Sequence, residues 1–329
     1  MKNLYDIICS LLDNKQAAGL ENRITKIDLK FDIDDIKITN NFFYINFNGD
    51  QITEDKLVDV LDDLLIFYCI PRTEIAKKVE LFNKTQQLRH ITDLKDSARA
   101  LFIKSYKRHG AQLGEPGELF LYIIMEYFLN APQIVSKMFY KQSADMPVFG
   151  ADGLHIGFDK NSKGLIVYFG ESKMYANLNQ SLTKIKESIE NFLEVKNGTT
   201  QRERDLQIIN DLIEIKDEES KEYVLSYLDP YSPNSNNVKE IYSCMTIFNS
   251  DIYSKMIGKS AEEIKTLFRK EYETLANQTV TEFVSKIKDS AIKNLDFNFI
   301  VLPVDSVDNI RIKFFKKLGI EVKYDKCTK

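Results

Sequence analysis

The 329-residue chain carries 45 Lys and Arg against 49 Asp and Glu, with 43% hydrophobic and 29% charged residues, the balance of an ordinary soluble protein able to bury one large core or two modest ones. Its net charge of −4 excludes a general affinity for polyanions, so any nucleic-acid contact has to come from local basic patches or from a partner. Four scattered cysteines, Cys9, Cys69, Cys244 and Cys327, and three isolated histidines, His90, His109 and His155, exclude a zinc ribbon or a disulfide framework.

Leu4 to Leu12 reads as a short helix, and Asp6 and Asp13 bracket the only apolar stretch near the start, so no secretory leader is expected. The longest apolar run, Leu119 to Leu129, is interrupted by Glu126 and falls short of the ~20 residues a spanning helix requires. The expectation is a cytoplasmic protein with no membrane contact. Alternation in Ile24–Lys30 and Phe42–Phe47, followed by the turn signal Asn48-Gly49, predicts antiparallel strand pairing. Thr53 is placed to cap a helix in which Leu57, Val58, Leu61, Leu64 and Leu65 recur at helical spacing, and Pro71 ends it. More helix follows from Glu74 to about Asn83. Residues 1–97 therefore read as an accessory α+β region, and residues 98–329 as the main domain.

Ala98–Tyr106 fits a strand or a short helix. Gly110, Gly114, Pro116 and Gly117 break the chain before a helix from about Glu118 to Asn130, apolar on nearly every side and so expected between layers. Val148–Phe158 and Leu165–Met174 are strand candidates joined by a turn-rich linker. In the second, Leu165, Val167 and Phe169 share a face with Glu171 and Lys173, while Ile166 and Tyr168 point the other way, which marks a covered strand. A helix with Leu178, Leu182, Ile185, Ile189 and Phe192 comes next, closed by Gly198-Thr199-Thr200. The polar, helix-rich stretch from about Gln201 to Leu228 reads as part of an insertion over about residues 199–237. A strand at Ile241–Phe248, a long helix from Ala261 to about Asn294, a strand at Phe297–Val304 and a basic helix carrying Lys313, Lys316 and Lys317 complete a mixed α/β order, with helices on both sheet faces.

Acid-x-lysine triplets recur throughout this charged chain, but Glu171-Ser172-Lys173 alone terminates an apolar strand. A buried carboxylate and a buried ammonium are costly unless paired, metal-bound or working. The plain alternative is a strand end emerging into water. Asp152, between Gly150 and Gly153, lies near the same strand end if the two strands are neighbours; turn chemistry is its alternative. Glu118 occupies a first helical turn, where the macrodipole favours an acid. Glu115 shares its face if the helix begins there, which leaves the choice between them open, and Glu126 is placed as a structural partner. Carboxylate, carboxylate, carboxylate-x-lysine is the order a metal-dependent phosphodiesterase needs to hold a divalent cation and activate water.

The segments Gly114-Glu115-Pro116-Gly117-Glu118-Leu119, Phe149-Gly150-Ala151-Asp152-Gly153 and Glu171-Ser172-Lys173 resemble the PD-(D/E)xK nuclease superfamily, and more narrowly the HamA family of effector subunits of the Hachiman antiphage system. The likeness is clearest over about residues 98–193, with Ala151 where the superfamily usually has Pro. The resemblance implies a restriction-endonuclease-like α/β fold, a mixed sheet flanked by helices around a core of helix, three strands, helix and strand. It implies Mg²⁺ or Mn²⁺ held by Asp152 and Glu171, with the Ser172 carbonyl as a further ligand and Glu118 bound through water. Lys173 would orient or deprotonate the attacking water and offset transition-state charge. Gln180 and Lys184 are candidates for phosphate positioning, with plain helix surface as the alternative. DNA is the implied substrate and a helicase (HamB-like) the implied partner, which fits the lack of any P-loop in this chain. The N-terminal region and the basic final helix are candidate docking surfaces. Besides a DNA endonuclease effector, the residues allow a non-cleaving DNA-binding or helicase-regulating subunit. A cofactor enzyme has neither a dinucleotide fingerprint nor a nucleophile elbow behind it.

Overall fold

The computed structural model describes residues 3–12, 19–31, 33, 36–108, 115–140 and 150–321, those of 106–108 and 115 without their side chains. After α1 (Leu4–Leu11), strands β1 (Ile24–Ile27) and β2 (Ile38–Ile45) pair antiparallel, as their alternation predicts. A ribbon of β3 (Phe47–Asn48) and β4 (Gln51–Ile52) turns at Gly49, whose φ of 65° suits glycine. Helix α2 (Glu54–Cys69) starts after Thr53, but the Thr53 hydroxyl donates to the Asn46 carbonyl at 3.0 Å instead of capping the helix.

Helices α3 (Arg72–Thr85) and α4 (Arg89–Arg108) follow. Ala98–Tyr106 lies within α4, so the strand alternative is corrected: Ala98, Leu101, Phe102 and Ser105 are buried at helical spacing. The apolar helix α5 (Glu115–Ile123) continues as a π turn through Phe128, and every residue from Leu119 to Met125 is at most 2% exposed. It is a covered layer, as its all-round apolar character requires.

The short α6 (Lys137–Tyr140) precedes β5 (Gly153–Phe158), β6 (Leu165–Met174) and α7 (Leu178–Leu193). Then come α8 (Gln201–Leu212), α9 (Glu218–Leu225), β7 (Val238–Asn249), α10 (Ala261–Ile287), β8 (Phe297–Val304) and α11 (Val307–Lys317). Among the described residues, six strands form one sheet in the order β1-β2-β8-β7-β6-β5. β5 and β6 are antiparallel, whereas β6, β7, β8 and β2 run parallel. The N-terminal strands therefore extend the same sheet that holds β5 and β6. Two described strands, against the three the resemblance implies, stand between α5 and α7; residues 141–149 and the proposed strand start at Val148 lie outside the described residues.

Helices cover both faces. Leu121 Cδ2 of α5 lies 2.7 Å from where a Cβ on Gly170 would stand, so the bare glycine lets that side chain close directly on the strand. On the other face Phe192 of α7 packs on Phe169 with ring centroids 5.2 Å apart, and Phe283 of α10 stacks on Phe299 at 4.2 Å. Within the sheet, the buried Asn41 amide donates to Asn298 Oδ1 at 2.7 Å and the Asn298 amide to Ser243 Oγ at 3.0 Å. This chain of bonds crosses β2, β8 and β7 and penalises any slip in their parallel register. Two lysines of the basic helix α11 are already committed: Lys313 pairs with Glu54 (3.0 Å) and Asp55 (2.9 Å), and Lys317 with Asp59 (2.8 Å). No described helix is long and apolar enough to cross a membrane.

Candidate active site

Strand β6 is apolar until its last residues, where Glu171, Ser172 and Lys173 run past the end of β5 and stay paired with β7. Neighbouring β5 and β6 meet the condition the sequence set for Asp152. The ladder ends with Gly153 opposite Gly170, so Asp152, the residue before β5, stands beside the start of the Glu171-Ser172-Lys173 segment. The Asp152 amide donates to the Gly170 carbonyl at 2.7 Å, and its own Oδ2 accepts the Ser172 amide at 2.8 Å. Lys173 Nζ forms an ion pair with Glu171 Oε1, the side chains being 22% and 14% exposed. This is a largely buried pair rather than a strand end fraying into water.

Glu118 joins them from α5. Gly117 allows it: a Cβ there would stand 2.8 Å from Ser172 Oγ and 3.3 Å from Met174 Cβ, so α5 begins directly against the end of β6. Glu118 Oε2 accepts the phenol of Tyr68, on α2, at 2.9 Å. The side chain of Glu115 lies outside the described residues.

The charges feel one another. Burial, and then the negative charges of Glu171 and Glu118, push the Asp152 carboxyl well above the usual carboxylate range, against the pull of Lys173 and the Ser172 amide. Burial works against the Lys173 ammonium, but Glu171 and Asp152 more than offset it and raise its pKa. Burial and Glu118 raise the Tyr68 phenol, and burial together with Glu171 raises the Cys244 thiol on β7. Asp152 and Glu171 thus share one ammonium, and Glu118 lies within electrostatic reach of Asp152. Among the described residues, no group of three or more His, Cys, Asp or Glu side chains is placed to hold a metal ion.

Gln180 and Lys184 lie exposed on α7, whose first turn is capped by Asn177. Lys184 pairs with Glu187 at 2.7 Å and is within electrostatic reach of Lys173. Glu126 stands apart as the structural partner foreseen for it: Arg72 Nη2 donates to its Oε1 at 2.5 Å, and the Gln133 amide to its Oε2 at 2.7 Å. Sequence reasoning did not find Tyr68, which sits in an ordinary apolar run, or Arg311 of α11, which donates to the Met174 carbonyl and so anchors the end of β6. Gly117 was visible only as a helix breaker; its closeness to Ser172 needs the fold.

A mixed six-stranded sheet flanked by helices on both faces is an α/β architecture compatible with the restriction-endonuclease-like class. The HamA family model matches residues 21–318, from before β1 to beyond α11. The chain belongs to the HamA family, a component of Hachiman antiphage defence. No curated protein matches it.

Proposed function

We propose that this chain is the metal-dependent DNA endonuclease effector of its defence system, controlled by a helicase partner. The observation that carries the reading is the Asp152 carboxylate bound to the Ser172 amide at the end of β6, with the Lys173–Glu171 pair on either side of Ser172 and with Glu171 and Glu118 close enough to raise the Asp152 carboxyl. The Asp152 carboxylate, which burial and the neighbouring negative charges disfavour, is relieved by a cation beside it. The donors are hard oxygens in an open set, two carboxylates flanking the Ser172 peptide, which fits Mg²⁺ or Mn²⁺ with several waters retained. Such a cation, when bound, polarises the phosphodiester and acidifies water.

The chain's own groups do the remainder. Asp152, fixed by the Ser172 amide, and Glu171 hold the negative charge that selects the cation. Lys173, kept as an ammonium by Glu171 and Asp152, carries protons to donate, so it orients water and offsets charge on the phosphorus oxygens instead of removing a proton. Tyr68 fixes Glu118, and Gln180 with Lys184 positions a neighbouring phosphate. With Lys313 and Lys317 committed to α2, the N-terminal region is the better docking surface for the partner, and α3, which buries no residue of its own, is its most open helix. The test is made in cells carrying the complete system during phage infection. The nuclease reading expects new DNA ends that vanish, together with protection, in Glu171→Ala. Protection without any wild-type strand breaks would install the non-cleaving, helicase-regulating subunit in its place.

A further inference from the structure

Two buried charges outside the proposed chemistry grip the backbone next to Asp152. Lys137 of α6 and Asp205 of α8, with side chains 5% and 0% exposed, pair at 2.9 Å. Lys137 Nζ also donates to the Ala151 carbonyl at 2.7 Å, while Asp205 Oδ2 accepts the Ala151 amide at 2.8 Å. Both polar backbone groups of the residue before Asp152 are therefore bound by opposite ends of one ion pair. Gly150 completes the fit: its φ is 149°, and a Cβ there would stand 2.4 Å from Asp205 Oδ1. Burying such a pair costs more free energy than apolar side chains of the same volume, so stability alone does not account for it. A fixed peptide does. Helix α8, which reads in sequence as part of a polar insertion, is itself anchored, with Arg202 Nε donating to Glu240 Oε2 of β7 at 2.7 Å and Ile209 fully buried.

We infer that Lys137 and Asp205 are positioning residues for Asp152: they clamp the Gly150–Ala151 backbone from both sides and keep the Asp152 carboxylate on the Ser172 amide beside Glu171. The inference rests on the nuclease reading only where Asp152 is taken as a cation ligand; the clamp itself is a matter of backbone order. The same contacts make α8 part of the site's support.

Two variants of the full chain test it. The pair Lys137→Met with Asp205→Leu removes both charges at similar volume, and Asp205→Asn keeps an oxygen for the Ala151 amide without the charge. Amide hydrogen exchange across residues 150–153 reads the clamp, Mn²⁺ titration followed by electron paramagnetic resonance reads the consequence, and thermal unfolding checks the fold. The expected result is faster exchange confined to that segment and Mn²⁺ binding weakened roughly 10–100-fold in the double variant, with Asp205→Asn in between. A folded double variant with wild-type exchange and wild-type Mn²⁺ binding overturns the inference. If the double variant does not fold, Asp205→Asn decides by the same two readouts. If wild type binds no Mn²⁺, the cation reading of Asp152 falls, and the exchange rates alone decide for or against the clamp.

Discussion

Acidification should weaken this fold through one side chain, His155. It is fully buried, and its Nδ1 lies 2.7 Å from the Ala131 carbonyl, to which it donates. Its Nε2 has no hydrogen-bond partner among the described residues. Burial, opposed by the Ala131 bond and helped by the charge of Arg72, lowers its pKa from 6.5 to about 4. The unfolded chain therefore takes up a proton below 6.5 that the native chain refuses until about 4. More protons bound by the unfolded state means that stability falls as pH falls through this window. Integrating over it gives a loss of about 2 kcal/mol by pH 5 and about 3 kcal/mol by pH 4, relative to neutral pH. Urea unfolding at pH 7 and pH 5 measures it, with His155→Asn as the comparison because the amide keeps a donor near Ala131. The variant should lose about 2 kcal/mol less than wild type between the two conditions. Equal losses would show that His155 is not the titrating group.

Other substitutions separate scaffold from site. Arg72→Met leaves the buried Glu126 without its guanidinium and should cost about 3–5 kcal/mol in urea unfolding; a loss below 1 kcal/mol would mean that the pair is not buried in solution. Gly164→Ala drives a Cβ to 2.0 Å from the Asn237 carbonyl, at the end of β6 away from Glu171, so thermal unfolding should register about 1–3 kcal/mol of destabilisation while cleavage at low temperature is retained. Tyr68→Phe removes the donor to Glu118 and should cost about 1–3 kcal/mol of stability together with a partial loss of cleavage, smaller than that of Glu171→Ala; full activity would remove Tyr68 from the site.

What could be read from the sequence follows from how local each signal is. β6 runs over Leu165–Met174 as its apolar residues on both faces predict, because a strand covered on both faces has to declare itself in consecutive residues. β8 was legible for the same reason, and α7 through the helical spacing of Leu178, Leu182, Ile185, Ile189 and Phe192. The place of β2 was not: its partner β8 lies more than 250 residues away, and Ile38 opposite Phe297 leaves no mark near either residue. α4 was missed as one helix because its buried stripe is interrupted by charged residues such as Lys95 and Arg99, which turn out to bind Asp62 of α2. At the site, Asp152, Glu171 and Lys173 were visible through context, whereas Lys137 and Asp205 look like surface residues until the fold buries them together. Charge composition cannot reveal that a lysine and an aspartate 68 residues apart share one peptide.

The central claim is that the acidic end of β5 and β6 cuts DNA with a divalent cation. The most direct measurement is strand cleavage of supercoiled plasmid by the chain together with the proposed helicase partner, in Mg²⁺ and in EDTA, with Lys173→Ala alongside wild type. Nicked and linear products from wild type in Mg²⁺, and none after chelation or in Lys173→Ala, are the predicted result. Cleavage that survives either EDTA or the loss of Lys173 would contradict it.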